Sequence, residues 1–436
     1  MDIYNAVSFA GIFVLIVVAL FLSENRKEVN WQVVIWGVGI QMLLALFLFV
    51  FPVGVKIFIF INDLVVNILE ASFAGAKFVF GPLALPPGAV GENGEQSLGF
   101  ILAFQAFPTI IFFSALMGIL YYFDIIPRVI RFFSRLFTRL MRISGAESLC
   151  AASNIFVGVE STMTVRPFLA KMTKSELCVV LTAGMATVAS NVLAFYTFLL
   201  QKEFPLIAGH LVTASFLSAP AAIVMAKILV PETGQPVTLG EEVDLAIEKD
   251  DNLIEAIIKG ATGGVQLIVG IAALLIAVLG LVALCDMFLG FAGGKINGLF
   301  HWDFTWSFKE ILGFIFYPFT LIIGIPPSDA GIISKIIGER MVVTEVASYQ
   351  DLAVAMSKGV LQHPRSAVLT TYALCGFAHV ASLAIFVGGV SALVPTQTKA
   401  LAQIALRSLL AATLACLLTA CIAGTFYTRG SMLIGN

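Results

Sequence analysis

Apolar runs recur along the whole chain, and each is long enough to form a helix across a lipid bilayer. A spanning helix needs about 20 predominantly apolar residues. Only 12% of the residues are charged, whereas a soluble domain carries about 25%, so the chain lacks the polar surface that soluble domains need. We therefore predict an all-α polytopic membrane protein with eight transmembrane helices, at residues 6–22, 32–52, 100–121, 176–199, 209–229, 264–289, 366–393 and 401–426.

The charges between these runs predict which side of the membrane each loop occupies. Asp2 precedes the first run, and neither a basic leading segment nor an A-x-A motif is present, which favours a first span over a signal peptide. Arg26 and Lys27 follow that run, and basic loops stay in the cytoplasm. The N-terminus is therefore predicted outside, and an even number of spans returns the C-terminus to the same side.

Residues 121–144 predict a helix that lies on the inner membrane surface. Basic residues recur there every three or four positions, with Phe, Leu and Ile between them. This is the pattern of a basic amphipathic interfacial helix, and its apolar second face argues against a nucleic-acid partner. The basic residues are Arg128, Arg131, Arg135, Arg139 and Arg142.

Two stretches, 146–170 and 308–335, are apolar but too broken to span. Each has a polar centre with Gly or Pro, GVES at 158–161 and GIPPSD at 324–329. Non-helical backbone survives at membrane depth only where protein or water satisfies it, so each stretch predicts a re-entrant helical hairpin. A span with polar residues at its middle follows each hairpin, as in an inverted repeat. If the hairpins enter from opposite sides, their tips meet near the midplane, where we predict the substrate site.

This pattern divides the chain into four parts. Residues 1–144 would contain N-terminal scaffold spans and the basic interfacial helix, and residues 145–230 the first hairpin and the spans after it. Residues 231–307 would form an acidic inner loop and a scaffold span, and residues 308–436 the second hairpin and the last spans.

Polar residues around the first hairpin are candidates for function. An ionisable group inside the membrane is costly, so Glu160 suggests a site, although it could instead be a buried structural acid paired with Arg166 or with a helix N-terminus. Asn154 and Thr187 lie at break points and, with backbone carbonyls, could bind sodium. On spacing alone, ordinary interhelical hydrogen bonding is the simpler explanation of Asn154 and Thr187.

The second half contributes a matching set. Glu345 is either a site acid or an interfacial acid facing water. His379 could be a core histidine, but it shares a helix face with Ser382 and lies two residues after Phe377, which suits a planar polar ligand. Asp329 could belong to the site or only cap the helix that follows.

No enzyme motif and no phosphate-binding loop is present, so a transporter of this sequence must draw on an ion gradient. The six cysteines lie in or beside apolar runs without metal-ligand spacing, which indicates apolar filling rather than a metal site or disulfides. No cofactor is predicted, and the coupling ion would be sodium or, alternatively, a proton.

Several long blocks, in order, resemble the concentrative nucleoside transporter family. They include FPTIIFFSALMGILYYF (107–123), GAESLCAASNIFVG (145–158), GERMVVTEVASY (338–349) and ALCGFAHVASLAI (373–385). The resemblance covers most of the chain from about residue 70. It implies a homotrimer of eight-span protomers, each with an elevator-like transport domain built from the hairpins and broken spans. We expect the protein in a bacterial inner membrane, with both termini on the periplasmic side that the loop charges predict.

The resemblance also assigns residue roles. It implies a nucleoside site whose members match Val159, Glu160, Val192, Glu345, Phe377, His379 and Ser382. It implies a sodium site formed by the side chains of Asn154 and Thr187 and the backbone carbonyls of Val157 and Val188.

This chain departs from the family at three places, one of which is Pro326-Pro327 at the second tip, where an aromatic residue is common. The first tip reads Gly158-Val159-Glu160, one residue shorter than the family's Gly-Gln-Thr-Glu, so polar base-facing side chains are lost. His379 replaces the family's asparagine. Sugar-facing groups are thus largely kept while base-facing groups change, which predicts a broader or unusual base preference.

The predicted function is therefore secondary active nucleoside import by sodium symport, without enzymatic activity. Three alternatives remain at this level. They are proton coupling, a non-transporting membrane protein of related hairpin fold, and an intramembrane enzyme that pairs Ser382 with His379.

Overall fold

The computed structural model describes residues 2–86, 88–91, 94–246, 250–301 and 304–428, and every regular element in these ranges is a helix. The Asn30 side chain caps the second helix by accepting the Gln32 N–H, and Pro52 starts the third, where its fixed φ suits a first turn. These opening helices are α1 (Ile3–Leu22), α2 (Trp31–Val50) and α3 (Pro52–Phe80).

Helix α3 is absent from the sequence prediction, which assigned no element to residues 53–83. One face, including Leu69, is buried. Four charged residues recur at seven-residue intervals along the exposed face and interrupt the apolar run. They are Lys56, Asp63, Glu70 and Lys77.

The next elements confirm the basic amphipathic helix. They are α4 (Leu102–Gln105), α5 (Phe107–Tyr122) and α6 (Ile125–Met141). The apolar face of α6 is buried, and its arginines pair with acids at the surface, Arg135 and Arg139 with Glu242 at 2.9 and 2.7 Å.

Asp124 sits at the start of α6 and forms ion pairs with Arg128 and Arg131 at 3.2 and 2.8 Å. Desolvation would raise the pKa of Asp124, but the hydrogen bonds and charges of Arg131 and Arg128 outweigh it and hold this pKa below its ordinary value. Asp124 therefore stays ionised beside the basic face of α6.

Two of the five helices from α7 to α11 begin with a capping box. Ser144 and Glu147 cap the first of them, and Thr173 and Glu176 cap the third, so that both helices start at a defined residue. The five helices are α7 (Gly145–Ser153), α8 (Arg166–Leu169), α9 (Lys174–Ala186), α10 (Ser190–Leu200) and α11 (Ile207–Leu229).

Helix α12 (Leu253–Phe300) is much longer than the predicted span 264–289. Its 48 residues correspond to about 72 Å at 1.5 Å per residue. Most of its side chains are exposed or only partly buried in the isolated chain. Its hydrophobic surface therefore requires a lipid or protein neighbour.

The order of elements from α6 to α11 is repeated after α12. An amphipathic or short helix is followed by a hairpin, a span broken into two helices, and a long helix. The second set is α13 (Phe308–Ile322), α14 (Pro327–Arg340), α15 (Glu345–Ser357), α16 (Pro364–Leu374), α17 (Val380–Leu393) and α18 (Thr398–Phe426). The buried core lies around α9, α11 and α18.

The second hairpin differs from the prediction. Residues 323–326 do form a turn, but it packs on the chain's N-terminal helix, where Ser8 donates to the Ile323 carbonyl at 2.7 Å. Asp329 does not line a site, because it accepts hydrogen bonds at the start of α16 from the His363 N–H and the Ser366 hydroxyl, at 3.0 and 2.6 Å. The tip that faces the first hairpin lies instead at 341–344, between α14 and α15.

Eight helices among the described residues are long and apolar enough to span a membrane. The number agrees with the prediction, but the set includes α3 with its short extension (Pro52–Ala84) and omits 366–393, which is divided into α16 and α17. Asn5 donates to the carbonyls of Thr425 and Tyr427 at 3.1 and 2.6 Å, so the described ends of the chain lie together.

Candidate functional site

Two hairpin tips and two span breaks converge on one cavity. We define the first tip as residues 154–161, the second tip as 341–345, the first break as 187–189 and the second break as 375–379. The cavity measures about 280 Å³, close to the lower end of the 300–1,000 Å³ range of small-ligand sites. Both tips contribute to its lining, together with the first residues of α10 and α17.

Helix ends give this cavity its electrostatic character. Helices α10, α15 and α17 all begin at it, so three helix N-termini point their partial positive charge toward the lining. Glu345 is the first residue of α15 and is buried there, which places a carboxylate at one of these positive ends. The arrangement favours an ionised acid and hydrogen-bond acceptors on a ligand.

Glu345 is the centre of a buried hydrogen-bond network. The Tyr196 hydroxyl donates to Glu345 Oε1 at 2.6 Å, and His379 Nε2 lies 3.0 Å from Glu345 Oε2. Ser382 Oγ is 2.8 Å from the same Nε2. The Tyr196 ring stacks on Tyr349 with centroids 4.4 Å apart, which fixes the position of the hydroxyl.

The network also assigns the tautomer of His379. The Ser382 backbone N–H donates to Nδ1 at 3.2 Å, so Nδ1 must carry a lone pair. The ring proton is therefore on Nε2, directed at Glu345 and the Ser382 hydroxyl. A second proton on His379 would break this N-cap bond of α17.

The structure brings the predicted substrate contacts together. Glu160, Val192 and Phe377 line the same cavity as Glu345, His379 and Ser382. Glu160 is exposed at the cavity, and no ion pair between it and Arg166 occurs among the described residues. The side chain of Val159, the remaining predicted contact, lies outside the described part of the structure.

Sequence reasoning missed the wall that α12 contributes. Gln266, Leu267 and Ile271 face the cavity from this helix, and an apolar run with the single polar residue Gln266 gives little local signal of a site. It also missed Asn191, whose side chain donates to Ser114 Oγ of α5 at 3.0 Å, because that contact joins residues far apart in sequence.

The predicted ion ligands lie at the first tip and first break. The Asn154 side chain donates to the Cys150 carbonyl at 3.0 Å, while its carbonyl oxygen is buried and has no hydrogen-bond partner among the described residues. The backbone N–H of Ser190, at the start of α10, donates to the Phe156 carbonyl at 2.9 Å. This bond connects the residue that follows the first break to the first tip. Thr187 is buried, with its hydroxyl donating to Ala183.

An unpartnered buried oxygen between two helix ends suits a cation. Val157 and Val188 follow the C-termini of α7 and α9, where carbonyl groups lack helical partners. Ser215 Oγ is 3.4 Å from the Val188 carbonyl, a weak contact that leaves this oxygen free to bind elsewhere. Hard oxygen ligands of this kind are those that sodium uses in broken-helix transporters.

The second break touches the last turn of α9, directly before the first break, at Gly376. This residue has a φ of +134°, and a Cβ built there would lie 2.7 Å from the Ala186 carbonyl carbon and oxygen. Only glycine fits such a conformation and such a close backbone approach. The contact fixes the relative position of the two broken spans beside the cavity.

The fold and the site together define a multi-pass membrane transporter whose ligand cavity lies between two hairpin tips. Comparison with known proteins identifies the family. Residues 10–83 and 210–424 match the families described as "Na+ dependent nucleoside transporter" N-terminus and C-terminus, and residues 103–203 match "Nucleoside recognition". The chain belongs to the concentrative nucleoside transporter family.

Relatives of this chain occur in mammals and bacteria. It is 36% identical to mouse solute carrier family 28 member 3, over 96% of this chain, but it spans only 58% of that protein's length. It is 34% identical to nucleoside permease NupC of Helicobacter pylori, covering 96% of this chain and 97% of the permease. These relatives are transporters rather than enzymes.

Solved structures match over nearly the full length. The inward-facing, substrate-bound state of CNTnw superposes with a TM-score of 0.85 at 33% identity, covering 97% of this chain and 98% of that one. A variant of CNTnw in an outward-facing state gives a TM-score of 0.85 at 32% identity, covering 98% of both chains.

Proposed function

We propose that the protein imports nucleosides by sodium symport, through an elevator-type alternating-access movement. The observations that carry this proposal are a shared cavity lined by carboxylates from both hairpin tips and a buried Asn154 amide oxygen in the first tip that has no partner among the described residues. The mouse relative named sodium/nucleoside cotransporter 1, 33% identical over 97% of this chain, supports the choice of ion.

In this proposal Glu345, His379 and Ser382 hold the sugar. A carboxylate accepts hydrogen bonds from two hydroxyl groups, and charged acceptors form the stronger bonds. Because Tyr196 and His379 already fix the orientation of Glu345, the acceptor is in place before the sugar arrives. Pre-organisation of this kind lowers the entropic cost of binding.

The base would lie on the opposite side of the cavity. Val159, Glu160, Val192 and Phe377 are its proposed contacts. Phe377 offers a ring face for stacking, and Val192 an apolar surface. With few hydrogen-bonding side chains toward the base, discrimination between bases should be weak.

Sodium would be bound by Asn154, Thr187 and the carbonyls of Val157 and Val188. A cation there would neutralise the C-terminal ends of α7 and α9 and hold the first tip against the first break. Because that tip carries Glu160 into the cavity, bound sodium would favour nucleoside binding, and nucleoside would favour sodium to the same extent.

The elevator movement and a homotrimer fit the distribution of contacts. The two hairpins and broken spans would move as one body against a scaffold that includes α5 and α12. The Asn191 to Ser114 hydrogen bond crosses this proposed boundary and would break during transport. The exposed apolar surface of α12 would be covered by lipid or by neighbouring protomers.

We place the protein in a bacterial inner membrane with both termini in the periplasm. Arg26, Lys27 and the basic face of α6 would mark the cytoplasmic side. Helices α2 and α5 cross between these markers, so both ends of α3 would be external, and its row of charges would face water. The joined chain ends support a common side for both termini.

A proton is the second candidate for the coupling ion. It is favoured by the direct contact between His379 and Glu345 inside the cavity, since such a pair can bind and release a proton. Sodium remains the first proposal, because protonating His379 would break the N-cap bond from Ser382.

Replacing Asn154 by alanine should weaken sodium activation of uptake by about tenfold or more, since the loss of an ion ligand removes a charge-assisted contact. The measurement is nucleoside uptake into proteoliposomes as a function of sodium concentration. Gln41→Ala is the control, because it also removes a buried amide with an unpartnered oxygen, but on α2 outside the cavity. Equal sodium activation of the Asn154 variant and wild type would refute the ion site.

A further inference from the structure

Arg340, the last residue of α14, is a buried cation without an acidic partner. Its side chain is fully buried, and none of the ion pairs in the described ranges includes it. Nη1 donates to the Ala373 carbonyl, while Nε and Nη2 have no hydrogen-bond partner among the described residues. The Cys416 side chain of α18 lies beside the guanidinium. An unpaired buried charge is costly, so its retention calls for a physical reason.

The surroundings of Arg340 provide that reason. It lies where α14 ends, and it binds a carbonyl in the last turn of α16, so the guanidinium sits between two helix C-termini. Each end carries a partial negative charge and carbonyl groups without helical partners. A cation at this position stabilises both ends and connects the second tip to the second break.

The first repeat has the same arrangement without the cation. Helix α7 corresponds to α14, and α9 corresponds to α16, so the C-termini of α7 and α9 form the equivalent pair. Only neutral groups occur at these two ends, Asn154 and Thr187, and the Asn154 carbonyl oxygen has no partner. The first repeat therefore contains a buried acceptor, the Asn154 oxygen, that lacks a donor. The second repeat contains a buried cation, Arg340, with donors that lack acceptors.

We propose that Arg340 is a tethered cation that does at the second tip what bound sodium does at the first. It is a positioning residue, because it lies outside the cavity lining and acts through the second tip and the second break. These segments carry Glu345 and His379, so Arg340 would hold the sugar side of the site in place without an ion. The first tip would remain dependent on sodium. This inference rests on the proposed sodium-coupled transport and adds that one sodium ion, not two, accompanies each nucleoside.

The test compares three substitutions in the full-length protein. Arg340→Lys keeps the charge, Arg340→Met keeps the bulk without the charge, and Arg340→Ala leaves space for an added cation. Lys335→Met is the control, since it removes an exposed cation that pairs with Glu310 on the same hairpin. Binding of radiolabelled uridine, cytidine, adenosine, inosine and guanosine is measured across a sodium series, with and without added guanidinium.

In the wild type and the Lys335 control, the Hill coefficient for sodium, measured from nucleoside binding across the sodium series, should be near one. We call it the sodium coefficient. Arg340→Met should weaken nucleoside binding by about tenfold or more even at saturating sodium, and Arg340→Lys by less than about threefold. In Arg340→Ala, added guanidinium should restore binding, or the sodium coefficient should rise toward two as a second ion enters the vacated place.

Other outcomes would overturn the proposal. Wild-type affinity and an unchanged sodium coefficient in Arg340→Met would exclude a coupling role. Equal loss in the Lys and Met variants would show that shape rather than charge matters, and this comparison remains available if Arg340→Ala does not fold. Wild-type binding that is independent of sodium would instead refute the proposed sodium coupling, while the Lys and Met affinities would still report on Arg340.

Discussion

Glu345→Gln is expected to lower nucleoside uptake about 100-fold or more while leaving the fold intact. The carboxylate accepts a hydrogen bond from the Tyr196 hydroxyl at 2.6 Å, and its other oxygen lies 3.0 Å from His379 Nε2. A glutamine can accept on only one side, so its amide group would face either the tyrosine hydroxyl or the Nε2–H of His379. If the two hydrogen bonds proposed from sugar hydroxyls to the carboxylate are lost, at about 1.5–3 kcal/mol each, nucleoside affinity falls by at least about 100-fold.

The measurement for Glu345→Gln is nucleoside affinity and uptake in proteoliposomes, with size-exclusion chromatography to establish folding. Glu310→Gln is a matched control, because it removes an acid of the same repeat that pairs with Lys335 at 2.6 Å, away from the cavity. Near-wild-type affinity in a folded Glu345→Gln protein would remove this acid from the proposed sugar site.

Gly376→Ala is expected to abolish transport and to lower thermal stability by several degrees. Its φ of +134° is closed to alanine, and the added Cβ would meet backbone atoms of Ala186 at 2.7 Å. The strained conformation alone costs about 1–3 kcal/mol. The steric clash adds to this energetic cost, because moving either broken span to relieve it would also displace the cavity residues that the span carries.

Stability in detergent and uptake in proteoliposomes both test the effect of Gly376→Ala. The control is Gly388→Ala on α17, where a Cβ meets nothing within 4 Å. That change should be neutral or stabilise the protein by up to about 1 kcal/mol, since alanine is the better helix former. If both glycine variants behave alike, close contact between the second break and the end of α9 is not what positions the site.

The sequence located several residues of the cavity lining because their signals are local. Glu160 stands out as an ionisable residue in an apolar stretch, and the glycine before it marks a tip. Phe377, His379 and Ser382 fall within one polar interruption of an apolar run. The resemblance to a family then added Val192, which has no polar signal of its own.

The second tip could not be located from local signals. GIPPSD contains Gly and two prolines and forms a turn, but Asp329 and its neighbours use that turn to cap α16. The tip that reaches the cavity, MVVT at 341–344, contains no turn residue. It is held by a long-range bond from the Val380 N–H to the Met341 carbonyl at 3.2 Å. Tertiary structure therefore decides where the chain turns.

Helices α3 and α12 were misjudged for opposite reasons. In α3, charges at every seventh position break the apolar run, although they share one exposed face. In α12, the helix continues well beyond the length that crosses a bilayer, to Phe300. The length of an apolar run does not show that the charges of α3 share one face. It also does not show that α12 continues to Phe300.

The central claim is that sodium drives nucleosides through this cavity. Its most direct test is uptake of radiolabelled nucleosides into proteoliposomes with an inward sodium gradient, an inward proton gradient, or neither. We expect accumulation above the external concentration with sodium alone, and its loss in Asn154→Ala. Accumulation driven only by protons would contradict sodium coupling, and failure of every nucleoside to bind or accumulate would contradict the transport function itself.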